Sequence, residues 1–187
     1  MLLEDEHFIE YVYATMASWG MHRLGSRMKN FPDFKRSITS SKSILLELEE
    51  FKLNTLTEDN REHAFSLLDR LFRSLRVMES DSNLVGNSKV IHHLLPDLVP
   101  PIDRQYTVKF FYGRNLTSKY TPTYDKEEEP PLFIEIMNCF YTICRRLNLT
   151  ESDYDKTKPM NTSIPKVIDN AIIGLVLSEK EKDRHGN

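Results

Sequence analysis

Apolar residues recur along most of this chain three or four positions apart and almost nowhere alternate, so the pattern is helical. Phe8, Ile9, Val12, Tyr13, Met16 and Trp19 make the wide stripe of a core-facing helix over Phe8 to Trp19. Gly20 breaks that stripe, and Met21 to Gly25 reads as a turn or a short continuation. Phe31-Pro32-Asp33-Phe34 opens a short helix, with Asn30 or Phe31 just ahead of the proline. Ile44, Leu45, Leu48 and Phe51 share one face of a helix over Ser40 to Leu53, for which Ser41 is the candidate cap. Thr57-Glu58-Asp59-Asn60 is a helix-entry cluster, and Phe65, Leu68, Leu71, Phe72 and Leu75 carry the longest helix on to Val77. Arg61, Arg70, Arg73 and Arg76 fall on its solvated side.

In the second half, Asn87 or Ser88 caps a short helix that runs through Leu95 and stops at Pro96. A proline-bearing turn, Pro96 to Pro101, leads to Asp103, which caps a helix through Phe111 that ends at Gly113. Arg114 to Pro131 reads as a loop with a run of acids, Asp125 to Glu129; loops of that length are often functional. A core helix follows over Pro131 to Leu147, then a loop, then a last helix over Lys166 to Leu177 with Pro165 in its first turn. The one strand-like run, Tyr106 to Tyr112, reads equally well as helix. The expected fold is all-α: a single-domain orthogonal bundle of about seven helices over residues 1–178, with a charged, frayed tail over 179–187.

Composition narrows the function classes. At 187 residues, with 40% hydrophobic and 28% charged positions, the chain suits one domain with a sizeable core. A net charge of -3 argues against a surface that binds nucleic acid all over, and leaves room for a local basic patch. No apolar run reaches the ~20 residues of a membrane-spanning helix, and the acidic start, MLLEDEHF, lacks a signal-peptide layout. Both point to a cytoplasmic protein. Cys139 and Cys144 have neither zinc-site nor redox-pair spacing and read as buried thiols. No metal or other cofactor is implied, and Trp19 reads as a core residue.

The chemically specific residues gather between Asn83 and Gly113. Gly86-Asn87-Ser88-Lys89 reads as a glycine before a capped helix start, where exposed N–H groups and the helix dipole suit an anion that Lys89 can also reach. An ordinary helix start gives the same pattern. His92 and His93 point about 100° apart on a helix and cannot chelate one metal together; one is expected to pack inward with a hydrogen bond and the other to face solvent. Asp103 is a helix cap, a carboxylate held at a cleft by rigid proline backbone, or both. Tyr106, Phe110, Phe111, Tyr112, Tyr120 and Tyr124 interleave with Lys109, Arg114, Lys119 and Lys126, a mixture that suits an unpaired or flipped base with its phosphates. Core packing is the alternative for Phe110 and Phe111.

Ser88-Lys89-Val90-Ile91-His92-His93-Leu94-Leu95-Pro96, continued by Val99-Pro100-Pro101-Ile102-Asp103, fits SKxxHxLxPxLxPPxD. This resembles a motif of uncharacterised prokaryotic proteins and, more distantly, the helix-hairpin-helix DNA glycosylase superfamily. In that resemblance Leu84 to Lys89 stands for the hairpin, here with one glycine, and Pro101 to Arg104 for the aspartate segment. It implies Lys89 as a nucleophile or backbone contact and Asp103 as the catalytic carboxylate. Gly86, Ser88, Lys89, Arg104 and Tyr106 are then the nucleic-acid contacts, with DNA or another nucleic acid as partner. The competing expectation is a non-enzymatic helical interaction module whose proline turn only shapes the core.

Overall fold

The computed structural model describes residue 5 and residues 7–22, 27–79, 83–113, 128–157 and 161–185, with side chains through 182. Among these the fold is all-α, with eight α-helices and no strand beyond an isolated bridge between Met28 and Met78. They are α1 Phe8–Ser18, α2 Phe31–Ser40, α3 Lys42–Leu48, α4 Glu58–Ser74, α5 Asn83–Leu94, α6 Lys109–Tyr112, α7 Glu129–Arg146 and α8 Ile164–His185. No helix among the described residues is long and apolar enough to cross a membrane. Of the expected loop Arg114 to Pro131, residues 114–127, with Tyr120, Tyr124, Lys119 and Lys126, lie outside the described residues, and Glu129 to Pro131 are instead the first turn of α7.

The stripes find one another as their periodicity requires. Helix α4 lies along α7, with the Phe72 and Phe133 rings stacked 4.6 Å apart. Helix α5 packs on α1, α4 and α7. Phe34, Ile38, Leu45, Leu48, Leu68 and Phe140 are fully enclosed in a single core cluster. Local entry signals act where the sequence places them. The Asn30 side chain accepts the Asp33 N–H at 3.0 Å, ahead of Pro32 in the first turn of α2. Thr57 and Asn60 form a capping box at α4.

Several boundaries differ, each for a tertiary reason. Ser41 caps nothing: it is buried between α2 and α3, its Oγ against Ser37 O and Ser74 Oγ. Helix α3 stops at Leu48, well short of Leu53. Helix α4 ends at Ser74, because Leu75 turns extended and the Arg76 N–H donates to Ser37 Oγ at 2.7 Å. Helix α8 runs on through His185 where a frayed tail was expected; Glu179 to Lys182 are good helix formers, and Lys180 rests over the Tyr106 ring at 5.2 Å.

The start of α5 is the main correction. It begins at Asn83, so Gly86, Asn87 and Ser88 lie inside the helix and are buried, not at an open helix start. Gly86 is there for close approach: a Cβ would run into the Met78 side chain. Asn87 Nδ2 donates to the carbonyls of Phe72 and Leu75 at the end of α4, at 3.2 and 3.4 Å. Ser88 Oγ donates back to Val85 O. The true helix start faces Glu129 of α7, whose buried carboxylate approaches the Leu84 and Asn83 N–H groups without closing a strict hydrogen bond. Burial raises the Glu129 pKa, and those N–H groups with Arg104 oppose the rise.

Candidate functional site

Lys89 and Asp103 are brought together by two rigid supports. Lys89 stands on α5, held by buried Val90, Ile91 and Leu94. Asp103 ends the proline turn, whose Leu98, Val99, Pro100, Pro101 and Ile102 are all buried. The turn is pinned at two points: Asp97 O accepts the Leu53 N–H at 2.9 Å, and Val99 O accepts His92 Nδ1–H at 2.7 Å. His92 is therefore the inward histidine. Burial lowers its pKa to about 4 and keeps it neutral.

Asp103 does two things at once. Oδ1 accepts the Gln105 N–H at 2.7 Å, capping the turn that follows, while its own N–H donates to Thr107 Oγ1 at 3.2 Å. Oδ2 faces Lys89 Nζ at 3.8 Å. The capped segment, Arg104–Val108, is a π-helical turn closed by the Val108 N–H on Asp103 O at 3.0 Å, and it leads directly into α6. Single π turns inside helices occur frequently at functional sites. Replacing Asp103 by Ala is expected to cost about 1 kcal/mol, the usual loss for a cap, and Asp103→Asn much less, because an amide oxygen caps nearly as well. Thermal melts of both variants check this; a large loss in Asp103→Asn would make the Lys89 pairing, not the cap, the dominant contact.

Two further elements complete the cluster, and neither was legible in the sequence. Helix α8 adds Lys166 and Asp169, paired at 2.6 Å, with the Asp169 side chain only 3% exposed. Burial raises the Asp169 pKa, Lys166 and Lys89 oppose the rise, and Asp103 adds to it. From α1 comes Trp19, read from the sequence as core yet 44% exposed. The helix ends there because Gly20, at φ 79°, lets the Gly20 and Met21 N–H groups fold back onto Ala17 and Met16 carbonyls. The indole lies on His93, ring centroids 5.0 Å apart, with Lys89 Nζ 5.4 Å from its centroid.

His93, expected to face solvent, is instead half-buried in this group. Burial first, then Lys166 and Lys89, lower its pKa. Its Nε2 is shut from solvent with no hydrogen-bond partner.

The other expected contacts fall differently. Gly86 and Ser88 are buried inside α5 and do not reach the cluster's surface. Arg104 pairs with buried Glu129 at 3.8 Å rather than standing open to phosphate. Tyr106 is half-buried under Lys180. Among the described residues, no group of three or more His, Cys, Asp or Glu side chains can hold a metal ion. Chemically, the cluster offers two amines, two carboxylates and an imidazole beside a partly exposed aromatic ring. Comparison with known proteins finds no matching family model, no matching curated protein and no matching solved structure.

Proposed function

We propose that this is a nucleic-acid-associated helical protein with Lys89 and Asp103 as its working pair; a relation to the helix-hairpin-helix DNA glycosylases would be a degenerate one, because the segment matched to the hairpin, Leu84 to Lys89, is part of α5. The observation that carries this reading is the meeting of the Lys89 amine and the Asp103 carboxylate, 3.8 Å apart on two rigid supports and next to the exposed Trp19 ring. Lys89 supplies a backbone contact or a nucleophilic amine, and Asp103 a carboxylate able to take a proton or stabilise a cation. A cytoplasmic location goes with this reading.

The test is a titration of single- and double-stranded DNA at two salt concentrations. Lys89→Ala is expected to reduce the salt slope of log affinity by about one. Arg104→Ala, with its guanidinium engaged by Glu129, is expected to leave the slope nearly unchanged and to lower stability instead. Wild type and Lys89→Ala binding equally, or neither binding, would refute the assignment. If the pair is catalytic, Asp103→Asn abolishes turnover and keeps the fold, since an amide cannot act as the base.

A second reading, a non-enzymatic helical interaction module, draws support from charge. Lys89 and Lys166 each face a carboxylate in the cluster, and the chain is acidic overall, at -3. It predicts no DNA binding and no effect of Lys89→Ala beyond stability.

A further inference from the structure

The charge balance of the cluster, together with its aromatic face, bears on what the site takes, given that nucleic acid is the partner. Lys89 is matched by Asp103 and Lys166 by Asp169, so the four side chains sum to zero. A phosphate brought to Lys89 also meets the Asp103 carboxylate, which lies within 4 Å of the same amine and repels it. The cluster can therefore make at most the one phosphate contact through Lys89, and phosphates alone do not account for the site. It suits a neutral, flat group whose edge carries both donors and acceptors. Trp19 supplies an aromatic ring, approached by His93 and by Lys89 and with the residue still 44% exposed. Lys89 Nζ supplies a donor and Asp103 Oδ2 an acceptor.

We propose that the group bound here is an unpaired base stacked on Trp19, so that the protein prefers single-stranded nucleic acid to duplex. This rests on the nucleic-acid reading above and narrows it. A base inside a duplex has both faces covered by its neighbours and its edge spent on pairing, and cannot use this surface. An unpaired base has a free face whatever its identity, so the preference is for strand state, not sequence. The affinity then comes from stacking and edge contacts and depends on salt less steeply than a phosphate-held complex does.

Trp19 is the protein's single tryptophan, so its emission reports on this site alone. The experiment titrates the full chain with a thymine oligonucleotide, an abasic strand of the same length and a duplex. Tryptophan emission is followed for the wild type, and anisotropy of labelled strands for the variants. The thymine strand is expected to quench Trp19 and to bind about tenfold or more tighter than the abasic strand. Trp19→Leu should erase that advantage while far-ultraviolet circular dichroism stays unchanged, and Trp19→Phe should keep part of it. Equal binding of the thymine and abasic strands, or a preference for duplex, overturns the base-stacking proposal and leaves the nucleic-acid reading standing. Binding of the thymine strand without a change in Trp19 emission overturns the proposal in the same way. Binding to none of the three overturns both.

Discussion

The protein is expected to lose stability as the pH falls from 6.5 to about 4, with His92 driving the loss. In the unfolded chain the imidazole takes up its proton near 6.5. In the fold it does so only near 4, because burial penalises the charged ring by more than the bond from Nδ1–H to Val99 O favours it. Between those two values the unfolded state binds more protons, so stability rises with pH across the window and is fully present above it. The shift corresponds to about 3 kcal/mol, flat again below pH 4. His93 acts in the same direction. Glu129 and Asp169 act in the opposite one: their folded pKa values are raised by burial, so the fold favours their protonated forms and is relieved as the pH drops through those values. Urea or thermal melts across the range, wild type against His92→Gln, give the measurement. His92→Gln should be less stable at neutral pH and markedly flatter below 6.5. An unchanged slope in that variant would remove His92 as the cause.

Phe133→Ala is expected to be the most damaging single substitution in the α4–α7 layer. Phe133 is fully buried and its ring stacks on Phe72 at 4.6 Å and an interplanar angle of 20°. Truncating a buried phenylalanine costs about 3–5 kcal/mol, from lost transfer energy and the cavity left behind. Domains have only about 5–15 kcal/mol in all. For a chain of this length the midpoint should fall by on the order of 10 °C. Phe110→Ala, on an exposed ring, should cost much less. Comparable losses in the two variants would mean that α7 does not pack as described.

What was legible in the sequence follows the range of the interactions. The α1 stripe, the Asn30 entry and the Asp103 cap depend on residues within four of one another, and each is where the spacing puts it. The start of α5 is displaced from its expected place because its first N–H groups face the buried Glu129 carboxylate, which belongs to a helix beyond residues 114–127. A Ser or Asn nearer the apolar run then looks like the cap and is instead buried polar packing. Lys166 and Asp169 sit three apart on a helix, the usual spacing of a solvated ion pair; only the approach of α8 to the π turn makes them part of a site. Trp19 belongs to an apolar stripe by spacing, and its exposure follows from the turn at Gly20, which ends α1 beneath it.

The π turn after Asp103 also acts as an angular spacer. Each helical residue advances the side chains by about 100°, so a turn closed over five residues rather than four sets everything beyond it out of phase with everything before it. Asp103 can then aim its carboxylate at Lys89 while Val108 meets the core and Lys109 stays at the surface. With one residue fewer, the same stretch would close as ordinary α-helix, and the chain would have to choose between aligning the carboxylate and burying the valine. The wide turn lets the chain satisfy both in one arrangement.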